Sequence, residues 1–202
     1  MKLYYSPGAC SLASHIILNE TGLPFETVKV NLGNKTLPDG SDYLSVNPRG
    51  AVPALEISPG TVITQNVAIL TWIGHQSDVP AFRPADGSLE QARLLEALGF
   101  CEDVHGAIGP FFSSSYSDDT KKIFQTNFMR RMTQLEALLE ASENGWLLPQ
   151  GFTQADALIA VILRWTIPLH LDISSYPKAS ALREKVFSRP SAQKALESEE
   201  NA

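Results

Sequence analysis

The sequence predicts an α/β unit followed by an all-helical half. Over residues 1–76 of the 202-residue chain, short apolar runs alternate with segments whose apolar positions recur at helical spacing. This alternation is typical of a mixed sheet covered by helices. Residues 77–88 are rich in Pro, Asp, Ser and Gly, which favours a linker. Every later periodic segment has helical spacing, so we expect an all-helical domain over 89–202.

The α/β domain is expected to follow the order βαβαββα. Its first strand, Leu3–Tyr5, ends at the turn residues Ser6-Pro7-Gly8. A helix then runs to Gly22, which can adopt the left-handed cap conformation. Phe25–Val30 alternates apolar and polar residues, as a half-buried strand does. The polar residues 31–43 predict a loop that holds one short helix.

A hairpin and a helix complete this domain. Ala51–Ile57 is a strand pattern with Pro53 near its start, where a missing N–H is tolerated. Ser58-Pro59-Gly60 predicts the hairpin turn, and Thr61–Ile63 predicts the returning strand. Thr64–Asn66 then opens a helix with recurring apolar residues.

The second half is predicted to consist of helices. Thr153 and Asp156 have the Ser/Thr-x-x-acid spacing of a capping box, so we expect a helix to begin there. Residues 197–202 are acidic and are expected to fray. The predicted helical segments are Leu89–Val104, Thr120–Ser142, Ala155–Leu169, Ala179–Phe187 and Ser191–Leu196.

Composition and charge narrow the possible functions. The net charge is −6, with 16 basic and 22 acidic residues, which argues against nucleic acid or an anionic membrane as a partner. The two cysteines, Cys10 and Cys101, lie outside any metal-ligand or disulfide-framework spacing. The N-terminus lacks a signal-peptide pattern, and the most apolar window carries charged residues. We expect a cytoplasmic protein without a bound metal.

Cys10 is the first candidate for chemistry. It stands where the first strand ends and the first helix begins, and the N–H groups and dipole of a helix N-terminus stabilise a thiolate. Thiols in such positions have pKa values roughly 1 to 5 units below the ordinary value. The alternative interpretation is a small buried cysteine that only packs.

Four motifs carry a family resemblance. The most specific is Lys2–Leu12, with the sequence KLYYSPGACSL. The others are Asn47-Pro48-Arg49-Gly50-x-Val52-Pro53, Val104-His105 followed by Pro110-x-Phe112-Ser113-Ser114, and Thr153-x-x-Asp156. From Met1 to Leu196 the chain resembles the glutathione S-transferase family, specifically its bacterial beta class. The resemblance implies a thioredoxin-like N-terminal domain, a homodimer and a cis Val52–Pro53 bond. It also implies conjugation of glutathione to small hydrophobic electrophiles.

The resemblance further implies the residues of the site. Cys10 is the implied partner of the glutathione sulfur, with which it can form a mixed disulfide, and His105 reaches the same region from the helical domain. Glutathione, the co-substrate, is expected to contact Ala9, Cys10, Ala51, Val52, Pro53, Gln65, Asn66 and His105. The electrophile is expected to meet four aromatic residues, namely Tyr5, Phe112, Tyr116 and Trp165. Without the resemblance, His105 would be taken for a surface or core histidine.

Four positions depart from the family pattern. Gln65 and Asn66 stand where the family has an acidic residue and Ser, so Gln65 offers a neutral acceptor in place of a charged one. Gly99 and Gly106 stand where Asn and Lys are common. Three functions therefore stay open. They are a glutathione transferase, a monothiol exchange enzyme acting through Cys10, and a non-catalytic or weakly glutathione-binding protein with a ligand-binding or regulatory role. Cys101 is expected to pack.

Overall fold

In the computed structural model, residues 1–201 are described and form four strands and seven α-helices. They divide into two compact units, one comprising Met1–Pro84 with the chain from Ser188 onward, and the other Ala85–Phe187. The strands are β1 (Lys2–Tyr5), β2 (Glu26–Lys29), β3 (Ala54–Ser58) and β4 (Thr61–Thr64). The helices are α1 (Ser11–Thr21), α2 (Asn66–Gln76), α3 (Leu89–Ile108), α4 (Asp118–Glu140), α5 (Gln154–Arg164), α6 (Pro177–Phe187) and α7 (Pro190–Glu200).

The sheet of the first unit has the strand order β2-β1-β3-β4. β1 pairs in parallel with β2 and antiparallel with β3, and β3 and β4 form a hairpin. A parallel pair needs a crossover, which α1 supplies between β1 and β2. Leu3 and Tyr5 are buried, and so is Tyr4, which points to the opposite face. The continuous apolar run in β1 is therefore that of a strand covered on both faces.

This arrangement confirms the expected fold class, a thioredoxin-like α/β domain followed by helices. The short helix expected within 31–43 is not found. Residues 31–42 contain no helix, and a 3₁₀ turn follows at Tyr43–Ser45. The Asn31 side chain accepts from the N–H of Gly33, and the Asp39 side chain accepts from that of Ser41. Such local side-chain bonds compete with helix formation.

Helix α5 is the centre of the second unit. All residues from Gln154 to Leu163 are buried, and α5 packs against α3 and α6. The predicted capping box opens this helix, with Thr153 N–H donating to the Asp156 carboxylate at 2.8 Å. The N–H of Leu147 donates to the other oxygen of that carboxylate at 2.8 Å. One buried acid therefore both begins α5 and holds the loop before it.

The C-terminal helix α7 packs against α1 in the first unit. Its buried residues Ala192, Ala195 and Glu199 are spaced so that they share one helix face. The expected fraying of 197–202 is wrong for 197–200, which continue the helix, while residue 202 lies outside the described residues. Chain order assigns α7 to the predicted domain 89–202, whereas packing assigns it to the first unit. The domain boundaries themselves stay a prediction.

Candidate functional site

Cys10 occupies the N-cap position of α1. Its Sγ donates to the carbonyl oxygen of Val52 at 3.3 Å, and its side chain is almost completely buried. Val52 precedes Pro53 through a cis peptide bond, as the resemblance implies. Two motifs that lie about 40 residues apart, Lys2–Leu12 and Asn47–Pro53, therefore meet at one sulfur atom.

The surroundings of Cys10 act on its two protonation states in opposite directions. The helix N-terminus favours the thiolate, since N–H groups and the positive end of the helix dipole lie there. The Val52 carbonyl favours the neutral thiol, because it accepts the S–H hydrogen. A ligand that displaces the Sγ contact with Val52 removes the second effect and leaves the first.

Hydrogen bonds within the loop, to Ser11 and to Glu199 fix the loop before Cys10. The N–H of Ala9 donates to Ser6 O at 3.0 Å, and Ser11 Oγ bonds both the N–H and the carbonyl of Ser6 at 3.3 Å. Gly8 has a φ of 70°, a conformation natural to glycine, and its N–H donates to Glu199 at 2.9 Å. This arrangement keeps the Cys10 backbone in one place.

Glu199 and His15 form a buried pair behind this loop. His15 Nδ1 lies 3.2 Å from Glu199 Oε1, and the two side chains are 2% and 3% exposed. Sequence reasoning missed Glu199 because it lies in the acidic tail that was expected to fray. The available signal was its spacing from Ala192 and Ala195, which continues a helical apolar face.

Tyr5 lies in the core and not on a surface that a co-substrate can reach. Its side chain is 1% exposed, and its ring lies 6.0 Å from the His15 ring. Burial, and then the charge of Glu199, raise the pKa of Tyr5. A buried ring offers no area to an electrophile, so the sequence-based assignment of Tyr5 to the co-substrate site is not supported.

The other residues expected to contact glutathione on the first unit lie at turns and helix starts. The Ala51 carbonyl accepts from Tyr43 Oη and Asn47 Nδ2, each at 2.8 Å, which fixes the turn before Val52. Gln65 is exposed at the N-cap of α2 with a φ of 75°, and Asn66 is the buried first residue of that helix. A positive φ at a non-glycine residue costs of order 1–3 kcal/mol and is frequent at functional sites.

In the second unit, His105 lies on α3 among aromatic rings. Its Nδ1 is 3.0 Å from Glu102 Oε2, and its ring centroid is 5.1 Å from that of Trp165. The Phe112 ring meets Trp165 edge-on at 5.4 Å, and Phe112 is exposed. Three of the four predicted residues of this unit thus form one cluster. The fourth, Tyr116, packs edge-on against Phe124 at 4.9 Å.

Three further positions on α3 were singled out by sequence. Cys101 is fully buried, its Sγ donates to Ala155 O at 3.4 Å, and burial raises its pKa well above the ordinary value, so it is an inert packing thiol. A Cβ added at Gly99 or Gly106 would meet nothing within 4 Å. The missing side chains at these two positions are therefore not a consequence of crowding.

Two properties of residues 1–201 concern membrane insertion and metal binding. In this part of the chain no helix is long and apolar enough to cross a membrane. The same residues hold no group of three or more His, Cys, Asp or Glu side chains that could bind a metal ion.

Family models and a bacterial relative both match this chain. Residues 8–76 match the family model described as the N-terminal domain of glutathione S-transferase, and residues 102–199 match that of its C-terminal domain. The chain is 33% identical over 200 residues to glutathione S-transferase GstA of Escherichia coli O157:H7. The alignment covers 98% of each protein.

Solved structures show the same relationship. A sphingomonad glutathione S-transferase complexed with glutathione superposes with a TM-score of 0.93 at 38% identity, over 100% of each chain. The bacterial beta class glutathione S-transferase of Sphingomonas chungbukensis superposes with a TM-score of 0.91 at 39% identity, over 98% of each chain. The chain therefore belongs to the glutathione S-transferase family and resembles its bacterial beta class.

Proposed function

We propose that this protein is a glutathione transferase that joins the glutathione thiolate to small hydrophobic electrophiles. The observation that carries the proposal is the contact between Cys10 Sγ and the Val52 carbonyl at the start of α1. It brings a sulfur, a helix N-terminus and the residue before a cis-proline to one place. A thiol-containing peptide can be aligned there by its backbone and held near the helix by its sulfur.

The proposed glutathione site uses the first unit. Val52 pairs its main chain with the cysteinyl part of the peptide, in the manner of an added strand. The start of α2, at Gln65 and Asn66, holds the γ-glutamyl carboxylate through backbone N–H groups. Ala9, Ala51 and Pro53 shape the backbone around the sulfur.

The proposed chemistry at sulfur uses His105. Its imidazole takes the thiol proton, and the resulting thiolate attacks the electrophile. The exposed Phe112 and Tyr116 offer an apolar surface for the second substrate, and the nearly buried Trp165 lies against Phe112. Much of the rate gain comes from holding the two reactants together.

A second activity is favoured by the single cysteine of the segment Cys10–Ala13. Without a second thiol, only monothiol exchange is open to Cys10. The Cys10 thiolate attacks a glutathionylated substrate at the glutathione sulfur and releases the substrate thiolate. A glutathione thiolate then attacks the mixed disulfide, forms glutathione disulfide and regenerates Cys10.

Calorimetric titration with reduced glutathione tests the proposed site. We expect binding in the micromolar to low-millimolar range, with about tenfold tighter binding in Gln65→Glu, because a carboxylate accepts a charge-assisted bond from the peptide's ammonium group. Gln76→Glu is the control for charge alone, since it adds the same carboxylate at the exposed far end of α2. No measurable heat in the wild type and in Gln65→Glu would favour the non-catalytic alternative.

Activity assays separate the two reactions. In Cys10→Ser we expect exchange to be lost while conjugation is largely retained, since conjugation uses the thiolate of glutathione itself. Exchange that survives this substitution would contradict the role of Cys10. The homodimer implied by the resemblance belongs to the same proposal, and sedimentation equilibrium of the purified protein measures it.

A further inference from the structure

We propose that Glu102 is a positioning residue for His105, which holds the imidazole proton on Nδ1 and leaves Nε2 as the basic nitrogen. This inference rests on the proposed role of His105 at the glutathione sulfur. It adds a residue that none of the sequence motifs includes, and it assigns the two ring nitrogens different tasks.

The hydrogen bond defines the tautomer. Glu102 and His105 are three residues apart on α3, and the distance from Glu102 Oε2 to His105 Nδ1 is 3.0 Å. An ionised carboxylate can only accept, so Nδ1 must carry the hydrogen. In the neutral imidazole the lone pair then lies on Nε2, and this nitrogen is the one that can take a proton.

Packing defines the orientation of the ring. The His105 ring lies 5.1 Å from Trp165, and Trp165 is itself nearly buried with Phe112 against its edge. Glu102 therefore holds one edge of the imidazole while Trp165 limits its movement on another side. Two restraints of different kind leave His105 with one preferred orientation, which presents Nε2 away from Glu102.

Partial burial screens this pair less than the fully exposed ion pairs of the helical unit. The His105 and Glu102 side chains are 28% and 34% exposed, whereas Lys122 and Asp119 on α4 are 75% and 91% exposed. Solvent screens exposed pairs until they contribute little. A less screened carboxylate also stabilises the imidazolium that forms when Nε2 takes the thiol proton.

The proton balance of the step is simple. The S–H bond of glutathione breaks as the Nε2–H bond forms, and the sulfur electron pair makes the new bond to the electrophile. The imidazolium then gives its proton to the leaving group, or to the carbanion left by addition. Glu102 stays ionised throughout and touches neither substrate.

The neighbouring acid, Asp103, provides a matched control. Its carboxylate lies 3.1 Å from the Arg131 guanidinium on α4. Asp103→Asn therefore removes the same charge from the same turn of α3 without removing the Glu102 hydrogen bond to His105.

Nitrogen-15 NMR of histidine-labelled protein tests the inference directly. The chain has four histidines, and the His105 signals are assigned by their loss in His105→Asn. We expect neutral His105 to carry its proton on Nδ1 in the wild type, in Asp103→Asn and in Glu102→Gln, whose amide oxygen still accepts. In Glu102→Ala we expect the proton to move predominantly to Nε2. A Glu102→Ala spectrum that keeps the Nδ1–H form overturns the inference, whatever the activity does.

Kinetics separate this inference from the proposed function. We expect Glu102→Ala to lower kcat for conjugation about tenfold with KM for glutathione within about twofold, Glu102→Gln to lie between it and the wild type, and Asp103→Asn to match the wild type. If Glu102→Ala moves the proton but neither it nor His105→Ala lowers kcat, the role of His105 at sulfur fails, and the positioning role fails with it. A wild type without conjugating activity refutes the proposed function, while the NMR result still decides whether Glu102 sets the tautomer.

Discussion

At the scale of single residues, Asp156 combines a folding role with an unusual ionisation. Its carboxylate accepts from Leu147 N, Thr153 N and Thr153 Oγ1, each at 2.8 Å. Burial raises its pKa from 3.8 to about 6, although those hydrogen bonds act in the opposite direction. The capping acid of α5 is thus costly to ionise, because the surrounding helix excludes water from it.

This ionisation predicts a pH dependence of stability. Between the unfolded pKa of 3.8 and the folded pKa of about 6, the folded chain binds more protons than the unfolded chain, so the free energy of unfolding falls as pH rises. A shift of about two units corresponds to roughly 3 kcal/mol. Urea unfolding of the wild type and Asp156→Asn measures this contribution. We expect the unfolding free energy of the wild type, relative to that of Asp156→Asn, to fall by roughly 3 kcal/mol from pH 4 to pH 7. An advantage that is equal at both pH values would contradict the shift.

The residue scale also shows where the sequence was a poor guide to contacts. Tyr5 was expected to line the co-substrate surface, yet it is buried beside His15. A tyrosine in an apolar strand is compatible with either position, since the run Leu3-Tyr4-Tyr5 is apolar on both faces of the strand. Glu102 lies three residues before His105, and that spacing is a signal for their contact. Only the structure shows which of the nearby acids, Glu102 or Asp103, forms it.

At the scale of elements, helix α3 contains two exposed glycines. Gly99 and Gly106 lie within the helix, and an added Cβ would meet nothing within 4 Å at either position. Glycine in a helix interior is destabilising by roughly 0.5–1 kcal/mol relative to alanine, because its backbone loses more conformational freedom on folding. Helix α3 is therefore less stable than the same helix with alanine at these two positions.

This predicts that filling the glycine positions stabilises the protein. We expect Gly99→Ala and Gly106→Ala each to raise the free energy of unfolding by about 0.5–1 kcal/mol, and the double variant to give about the sum, since the two sites are far apart along the helix. Thermal or urea unfolding measures the change. Gly22→Ala is the contrasting control, because Gly22 caps α1 with a φ of 66° and should destabilise on substitution. A loss of stability in Gly99→Ala or Gly106→Ala would contradict the open space around these two positions.

Local patterns predicted most elements correctly, with boundaries off by a few residues. The helix expected over Leu89–Val104 runs to Ile108, and the one expected from Thr120 begins at Asp118. The short helix expected in 31–43 failed because its Asn and Asp side chains bond to nearby backbone N–H groups. Helical spacing was a reliable signal where a long apolar face exists, and a weak one in a short polar segment.

At the scale of the whole molecule, the two ends of the chain meet in the first unit. Glu199 accepts from the N–H of Gly8, which is 191 residues away in sequence, and pairs with His15. Arg189 also bonds to Glu20, and Asn19 donates to the Ser191 carbonyl at 3.1 Å. The Cys10 loop therefore depends on helix α7.

This dependence predicts that Glu199→Ala is strongly destabilising. It removes the carboxylate that pairs with the buried His15 ring and that accepts from the Gly8 N–H, which we expect to cost about 3 kcal/mol of unfolding free energy. Glu197→Ala, an exposed acid on the same helix, should stay within about 0.5 kcal/mol of the wild type. Urea unfolding compares the two variants. Equal and small effects would mean that α7 contributes no specific contact to the loop.

The sequence by itself determined the order and type of most elements, the family resemblance, and the place of Cys10 at a helix start. These depend on local spacing and on motifs that are contiguous in the chain. Only the tertiary structure decided that α7 packs on α1, that Glu199 holds the Cys10 loop, that Tyr5 is buried, and that His105 has both an acid and an aromatic neighbour. The physical reason is that burial and long-range hydrogen bonds depend on which elements pack together, and the spacing of residues within one element does not specify its partner.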